Sequence, residues 1–147
     1  MSRALPDWVK YGALPLLARF LIISEFVVAV NGKISDWSGQ AAYMAHAGMT
    51  MIPPLLGAAL AIEAVGSLLV VTGYKARYAA AVMFVYLGIV SVRLHGFWHM
   101  TGMASFANLG EFFKNMGMMG CLLMIAVYGP GNWALDALGK RQPVATR

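Results

Sequence analysis

The stretch from Pro53 to Tyr74, PPLLGAALAIEAVGSLLVVTGY, decides the fold class of this chain. Its 22 residues contain a single charge, at Glu63. An α-helix rises about 1.5 Å per residue and needs about 20 apolar residues to cross the roughly 30 Å hydrocarbon core of a bilayer. The stretch therefore predicts a transmembrane helix that carries one carboxylate near its middle.

Three further apolar stretches have similar length. They cover about residues 11–30, 78–98 and 112–128. The chain has 147 residues, of which 60% are hydrophobic and 12% charged, and its mean hydropathy is +0.68, which excludes an ordinary soluble domain. We predict an all-α membrane protein, with an antiparallel four-transmembrane-helix bundle over residues 1–133 and a short cytoplasmic tail over residues 134–147.

The distribution of basic residues predicts the orientation. Most of the 11 Lys and Arg residues lie before the first stretch, between the second and third, or after the fourth, whereas the loop after the first stretch offers only Lys33. Because cytoplasmic loops are rich in Lys and Arg, both termini are predicted on the cytoplasmic side of a bacterial-type inner (plasma) membrane, in a multi-pass arrangement. The basic residues form no single polar face, so the predicted partner is the lipid bilayer and not nucleic acid.

Four charges interrupt the apolar stretches: Arg19, Glu25, Glu63 and Arg93. A charge at the bilayer centre costs about 2.5–3.5 kcal/mol, so we expect these side chains to be buried and paired inside the bundle. Their depths favour a pair between Arg93 and Glu25, and place Glu63 within reach of Arg19. Tyr86, seven residues before Arg93, is expected on the same helix face. The charges either fix the helix register or line a site for a head group, an ion or a quinone, and the sequence leaves both open.

Histidine and methionine are concentrated in the two predicted outer loops. His95 and His99 are one helical turn apart, and His46 lies in the other loop. Imidazole and thioether groups are ligands for copper, which gives outer-face copper handling as a weaker alternative. The ordinary explanation is that methionine fills irregular gaps and histidine is tolerated at interfaces. Cys121 is the only cysteine and G-x-G-x-x-G is absent, so we predict no covalently bound cofactor and no dinucleotide loop.

The segment from Glu111 to Asp136, EFFKNMGMMGCLLMIAVYGPGNWALD, resembles the closing signature of the DoxX family. The similar features are Phe-x-Lys-Asn at residues 112–115, a glycine-containing apolar run, Gly-x-Gly at residues 129–131 and a final Leu-Asp. Positions earlier in the chain resemble the family pattern in the same order, so the resemblance spans nearly the whole chain. These positions are Arg19, Asn31-Gly32-Lys33, Ile62-Glu63, Gly66, Gly73, Arg77 and His95-Gly96-Phe97-Trp98.

The resemblance implies a membrane subunit linked to quinone-dependent oxidoreductases, and it marks polar family positions at Arg19, Glu63, His95, Lys114 and Asn115. A quinone site needs hydrogen-bond donors, a proton route and an apolar slot. Arg19 or His95 would donate, Glu63 would relay protons and Trp98 or Phe97 would flank the ring.

The prediction is therefore a DoxX-like integral membrane subunit of an oxidoreductase or respiratory complex, with a quinone or lipid head-group site between its helices. Other membrane or redox subunits are the expected partners, and a homo-oligomer is compatible with the sequence. The alternative is a purely structural or assembly subunit of a larger membrane complex. Lys114 is expected either to pair with Glu111 or to reach lipid phosphate.

Overall fold

The fold, obtained from a computed structural model, is described for residues 5–138. Helices make up the regular structure of this part of the chain, and it contains no strand. A π-helical turn, Val9–Ala13, leads directly into the first α-helix. The α-helices are α1 (Leu14–Ser35), α2 (Trp37–His46), α3 (Ile52–Thr72), α4 (Ala76–Leu94), α5 (Gly102–Tyr128) and the short α6 (Leu135–Leu138).

Four helical segments are long and apolar enough to cross a membrane, which confirms the predicted all-α bundle of four transmembrane helices. They are Val9–Ser35, Ile52–Thr72, Ala76–Leu94 and Gly102–Tyr128. The first and last of them are longer than predicted, because α1 continues through the polar residues after Val30 and α5 begins ten residues before Phe112. Helices continue past the apolar stretch since their backbone hydrogen bonds do not depend on the lipid.

The predicted outer loop after α1 contains a helix of its own. In α2, the side chain of Asp36 accepts a hydrogen bond from the backbone N–H of Gly39 at 2.9 Å and so caps the helix. Tyr43 of α2 donates a hydrogen bond to the carbonyl of Leu94 at the end of α4, at 3.0 Å. Helix α2 therefore covers one end of the bundle, which we call the α2 end; the opposite end, at the start of α1 and the end of α5, is the termini end.

The bundle is a ring of four helices in which α1 packs on α3, α3 on α4 and α4 on α5. Gly66 brings α3 close to α4, since a Cβ atom at this position would lie only 2.6 Å from the sulfur of Met83. Helices α1 and α5 touch little, so the ring has a seam between them. The core consists of Ile22, Ile23, Phe26, Val70, Ala76, Ala79, Ala80, Met83, Leu87, Met118, Leu122 and Ile125.

At the termini end, side chains satisfy the backbone groups that helix ends leave without partners. Arg77 donates to the last carbonyls of α5, including that of Tyr128 at 3.1 Å. Asp136 accepts from the N–H groups of Lys75 (2.9 Å) and Ala76 (3.3 Å) at the start of α4. Lys75 has a positive φ of 47°, and this cap helps to offset the strain of that conformation.

Candidate functional site

The half of the bundle next to the α2 end encloses a cavity of about 380 Å³. Helices α1, α3, α4 and α5 form its walls and α2 covers it. Its volume falls within the range of about 300–1,000 Å³ that is typical of small-molecule sites. Three acidic and three basic side chains line an otherwise largely apolar space. They are Glu25, Glu63 and Glu111, and Lys33, Arg93 and Lys114.

Glu63 is the most buried of these charges, with 4% of its surface exposed. Its Oε1 accepts hydrogen bonds from Tyr86 Oη at 2.6 Å and from Lys33 Nζ at 2.8 Å. Lys33 Nζ also lies 2.8 Å from Oε2, but outside hydrogen-bonding geometry, so this buried oxygen has no donor of its own. Helical side chains lean toward the N-terminus of their helix, and α1 and α3 are antiparallel, so Lys33 and Glu63 lean toward each other.

The predicted pair between Arg19 and Glu63 is therefore wrong. Arg19 is buried at the termini end, where it donates to the carbonyl of Val71 at 2.9 Å and to the carbonyl of Trp133. The last carbonyls of α3 have no helical partner, and the guanidinium supplies donors for them. Arg19 does not line the cavity, so its contacts give it a structural role.

The predicted pair between Glu25 and Arg93 is also wrong. Glu25 pairs with Lys114 across the seam between α1 and α5, at 2.6 Å. Lys114 is also 2.6 Å from Glu111, and this contact was one of the two predicted for Lys114. Helix α4 lies diagonally opposite α1 in the ring, so Arg93 is the wrong partner for Glu25. Arg93 is exposed, and it forms no ion pair with residues 5–138.

Two other predicted site residues do line the cavity. Asn115 of α5 is buried, with 5% of its surface exposed. His95, just after α4, has its Nδ1 3.4 Å from the amide oxygen of Asn108 and its ring 6.5 Å from that of Tyr43. Partial burial and the negative charge of Glu111 raise the pKa of the Tyr43 phenol, which is neutral at physiological pH.

The remaining predicted site residues lie outside the cavity. Trp98 is half exposed and packs against Phe97 and Phe112, with ring centroids 5.4 and 5.9 Å away. His46 and His99 are exposed. In the part of the chain that the structure describes, no three His, Cys, Asp or Glu side chains gather as metal ligands.

Sequence reasoning missed Lys33 and Tyr86 as partners of Glu63. The apolar stretch ends at Val30, so hydropathy alone predicts a loop at Lys33. The signal that would have placed it correctly is the spacing of Glu25, Ala29 and Lys33, which are four residues apart and share one face if the helix continues.

A ring of four membrane-spanning helices around a cavity with paired charges defines a polytopic integral membrane protein. Residues 14–96 match the DoxX family model. The chain is 34% identical over 123 residues to inner membrane protein YphA of Escherichia coli (strain K12), covering 82% of this chain and 86% of that protein. The chain belongs to the DoxX family and is a multi-pass inner-membrane protein.

Two further relatives have lower identity. Inner membrane protein YqjF of Escherichia coli (strain K12) is 28% identical over 84% of this chain and 89% of its own length. The surfeit locus protein 4 homolog of Drosophila melanogaster is 24% identical over 86% of this chain but only 41% of its own length. No solved structure matches the chain.

Proposed function

We propose that this protein is a membrane subunit of an oxidoreductase or respiratory complex, and that its cavity holds the head group of a quinone. The observation that carries the proposal is the buried cluster of Glu63, Lys33 and Tyr86 on the wall of a cavity inside the membrane-spanning bundle. Intramembrane ionisable residues are costly and commonly mark binding sites or proton routes.

The polar groups suit the two redox states of a quinone. A quinone carbonyl accepts hydrogen bonds, and Lys33 has three donors, of which the contact with Glu63 Oε1 uses one. A quinol hydroxyl donates, and Glu63 Oε2 has no hydrogen-bond donor at present. Asn115 and His95 supply further polar groups from the α4 and α5 side of the cavity.

The mouth of the cavity suits a ligand that carries an apolar tail. Glu25, Lys114 and Glu111 line the cavity, yet their side chains are 40–47% exposed, so they lie at its opening along the seam between α1 and α5. An opening along the side of a membrane-spanning bundle would face the lipid and not the aqueous phase at the bundle ends. A head group would enter the cavity while its tail stayed in the bilayer.

The electrons would come from a partner subunit. With a single cysteine, the chain cannot hold an iron–sulfur cluster by itself. It also contains no G-x-G-x-x-G motif with which to bind a nicotinamide or flavin dinucleotide. A flavin, haem or metal in a neighbouring redox protein would supply them.

The second candidate is an assembly subunit in which the charges only fix helix register. The mutual pairing of Lys33 with Glu63, and of Lys114 with Glu25 and Glu111, favours it. Both candidates are compatible with a homo-oligomer.

The deciding experiment is mild purification from native membranes, with mass spectrometry of the extracted quinone and the co-purifying proteins. We expect near-stoichiometric quinone and a redox partner, with the quinone lost in Glu63→Gln and kept in Asp7→Asn, which changes an exposed carboxylate at the termini end, outside the cavity. A stable partner complex without quinone in the unsubstituted protein would reject the quinone site and favour assembly.

A further inference from the structure

A second concave surface lies on the outer side of α4 and α5, next to the cavity, with which it shares Ile89 and Arg93. It is an open groove of about 490 Å³, lined on α4 by Val85, Gly88, Ile89 and Val92, with Met119 of α5 beside them and Arg93 at one end. The α4 positions follow the spacing i, i+3, i+4 and i+7 and so share one helix face, over roughly 10 Å from Val85 to Val92 at 1.5 Å per residue. The groove is apolar except at the end held by Arg93.

Arg93 needs an anion that the described chain does not supply. It is exposed, lies one residue before the end of α4, and forms no ion pair with residues 5–138. No acidic side chain lines the groove. An arginine close to the end of a membrane-spanning helix extends toward the interface, where the phosphate groups of the lipids lie. The planar guanidinium matches a phosphate with two parallel hydrogen bonds.

We propose that this groove is a binding site for an anionic phospholipid, with one acyl chain along α4 and the phosphate on Arg93. Charge selects the class of lipid, because the groove has no carboxylate to receive the ammonium of a zwitterionic head group. Charge also argues against a second copy of the chain, since a two-fold contact through this groove would bring two Arg93 side chains together without an acidic partner.

Gly88 forms the notch in which the acyl chain would lie. A Cβ atom there would approach only the side chain of Met119, at 3.3 Å from its terminal methyl and 3.9 Å from its sulfur, and that flexible side chain can move aside. A larger residue at this position would therefore fill the groove once Met119 shifts. Arg93 lines both the groove and the cavity, whereas Gly88 lines the groove alone, which separates the two sites experimentally.

The test is native mass spectrometry of the full chain in detergent, titrated with dioleoyl phosphatidylglycerol or dioleoyl phosphatidylcholine. We expect the first bound lipid to prefer phosphatidylglycerol. Arg93→Gln should reduce that preference about fivefold, as expected for a basic residue worth about 1 kcal/mol near the surface, and Arg93→Lys should retain most of it. Gly88→Leu should weaken the binding of both lipids at this site. Lys10→Gln, which removes an exposed charge at the termini end, is the matched control and should change neither.

Unchanged phosphatidylglycerol preference in Arg93→Gln, or unchanged affinity in a folded Gly88→Leu variant, would overturn the proposal. A shift of Gly88→Leu from dimer to monomer, without a change in lipid binding, would assign the groove to a second copy instead. Circular dichroism and size-exclusion chromatography establish that each variant is folded.

Discussion

The ammonium group of Lys33 and the carboxylate of Glu63 meet 2.8 Å apart inside the bundle, although the two residues lie on different helices. Their side chains are 12% and 5% exposed. Removing one partner of such a pair leaves the other charge buried without compensation, whereas removing both charges does not. This asymmetry yields the first prediction.

Lys33→Met and Glu63→Gln should each lower the free energy of unfolding by about 3–5 kcal/mol, the usual cost of breaking a buried pair. The double variant should lose clearly less than the sum of the two. Denaturant unfolding in mixed micelles measures all three, with Glu111→Gln as a half-exposed control. Strictly additive losses would mean that the pair does not form.

Arg19 should prove structural. Arg19→Lys cannot reach the carbonyls of both Val71 and Trp133 with one ammonium group, so we expect a loss of about 1–3 kcal/mol in unfolding free energy. The quinone content of the folded fraction should stay at the unsubstituted level, since Arg19 lies outside the cavity. If Arg19→Lys lost its quinone while its unfolding free energy stayed unchanged, Arg19 would belong to the binding site.

The seam between α1 and α5 should admit the ligand. In a Cys121→Ser background, Glu25→Cys with Lys114→Cys allows a reversible covalent bridge across the seam. A short bis-methanethiosulfonate reagent forms one disulfide with each cysteine and releases two sulfinate groups, and a thiol reductant cleaves the bridge. We expect bridging to slow the exchange of a short-tailed ubiquinone at least several-fold, with recovery after the bridge is cleaved. Each single-cysteine variant, treated identically, is the control. If the quinone exchanged at the original rate with the seam bridged, the entrance would lie elsewhere. If no quinone bound before bridging, the result would count against the quinone site itself.

The orientation predicted from the basic residues can be measured in the same cysteine-free background. Asp7→Cys, at the termini end, should react with a membrane-impermeant maleimide only in inside-out vesicles. Ser38→Cys, in α2, should react only in right-side-out vesicles. The reverse pattern would invert the orientation.

The transmembrane bundle was predictable because the cost of exposing polar groups to lipid acts on each segment separately, and stretches such as Pro53–Tyr74 record it directly. The partners of the buried charges could not be predicted in this way. Depth in the membrane favours Arg19 as the partner of Glu63, but depth alone ignores the direction in which each side chain leaves its helix. Hydropathy predicts that α1 ends at Val30, which excludes Lys33 from the bundle.

The sequence by itself determined that this protein is a four-helix membrane protein and that Glu63 must meet a compensating group, because both follow from the free energy of moving groups from water to lipid. Only the tertiary structure decided that the group is Lys33 with Tyr86, that Arg19 holds the termini end, and that Arg93 is exposed and forms no ion pair with residues 5–138. Those outcomes depend on the order of helices around the ring and on their rotation, which packing between helices sets and hydropathy does not record.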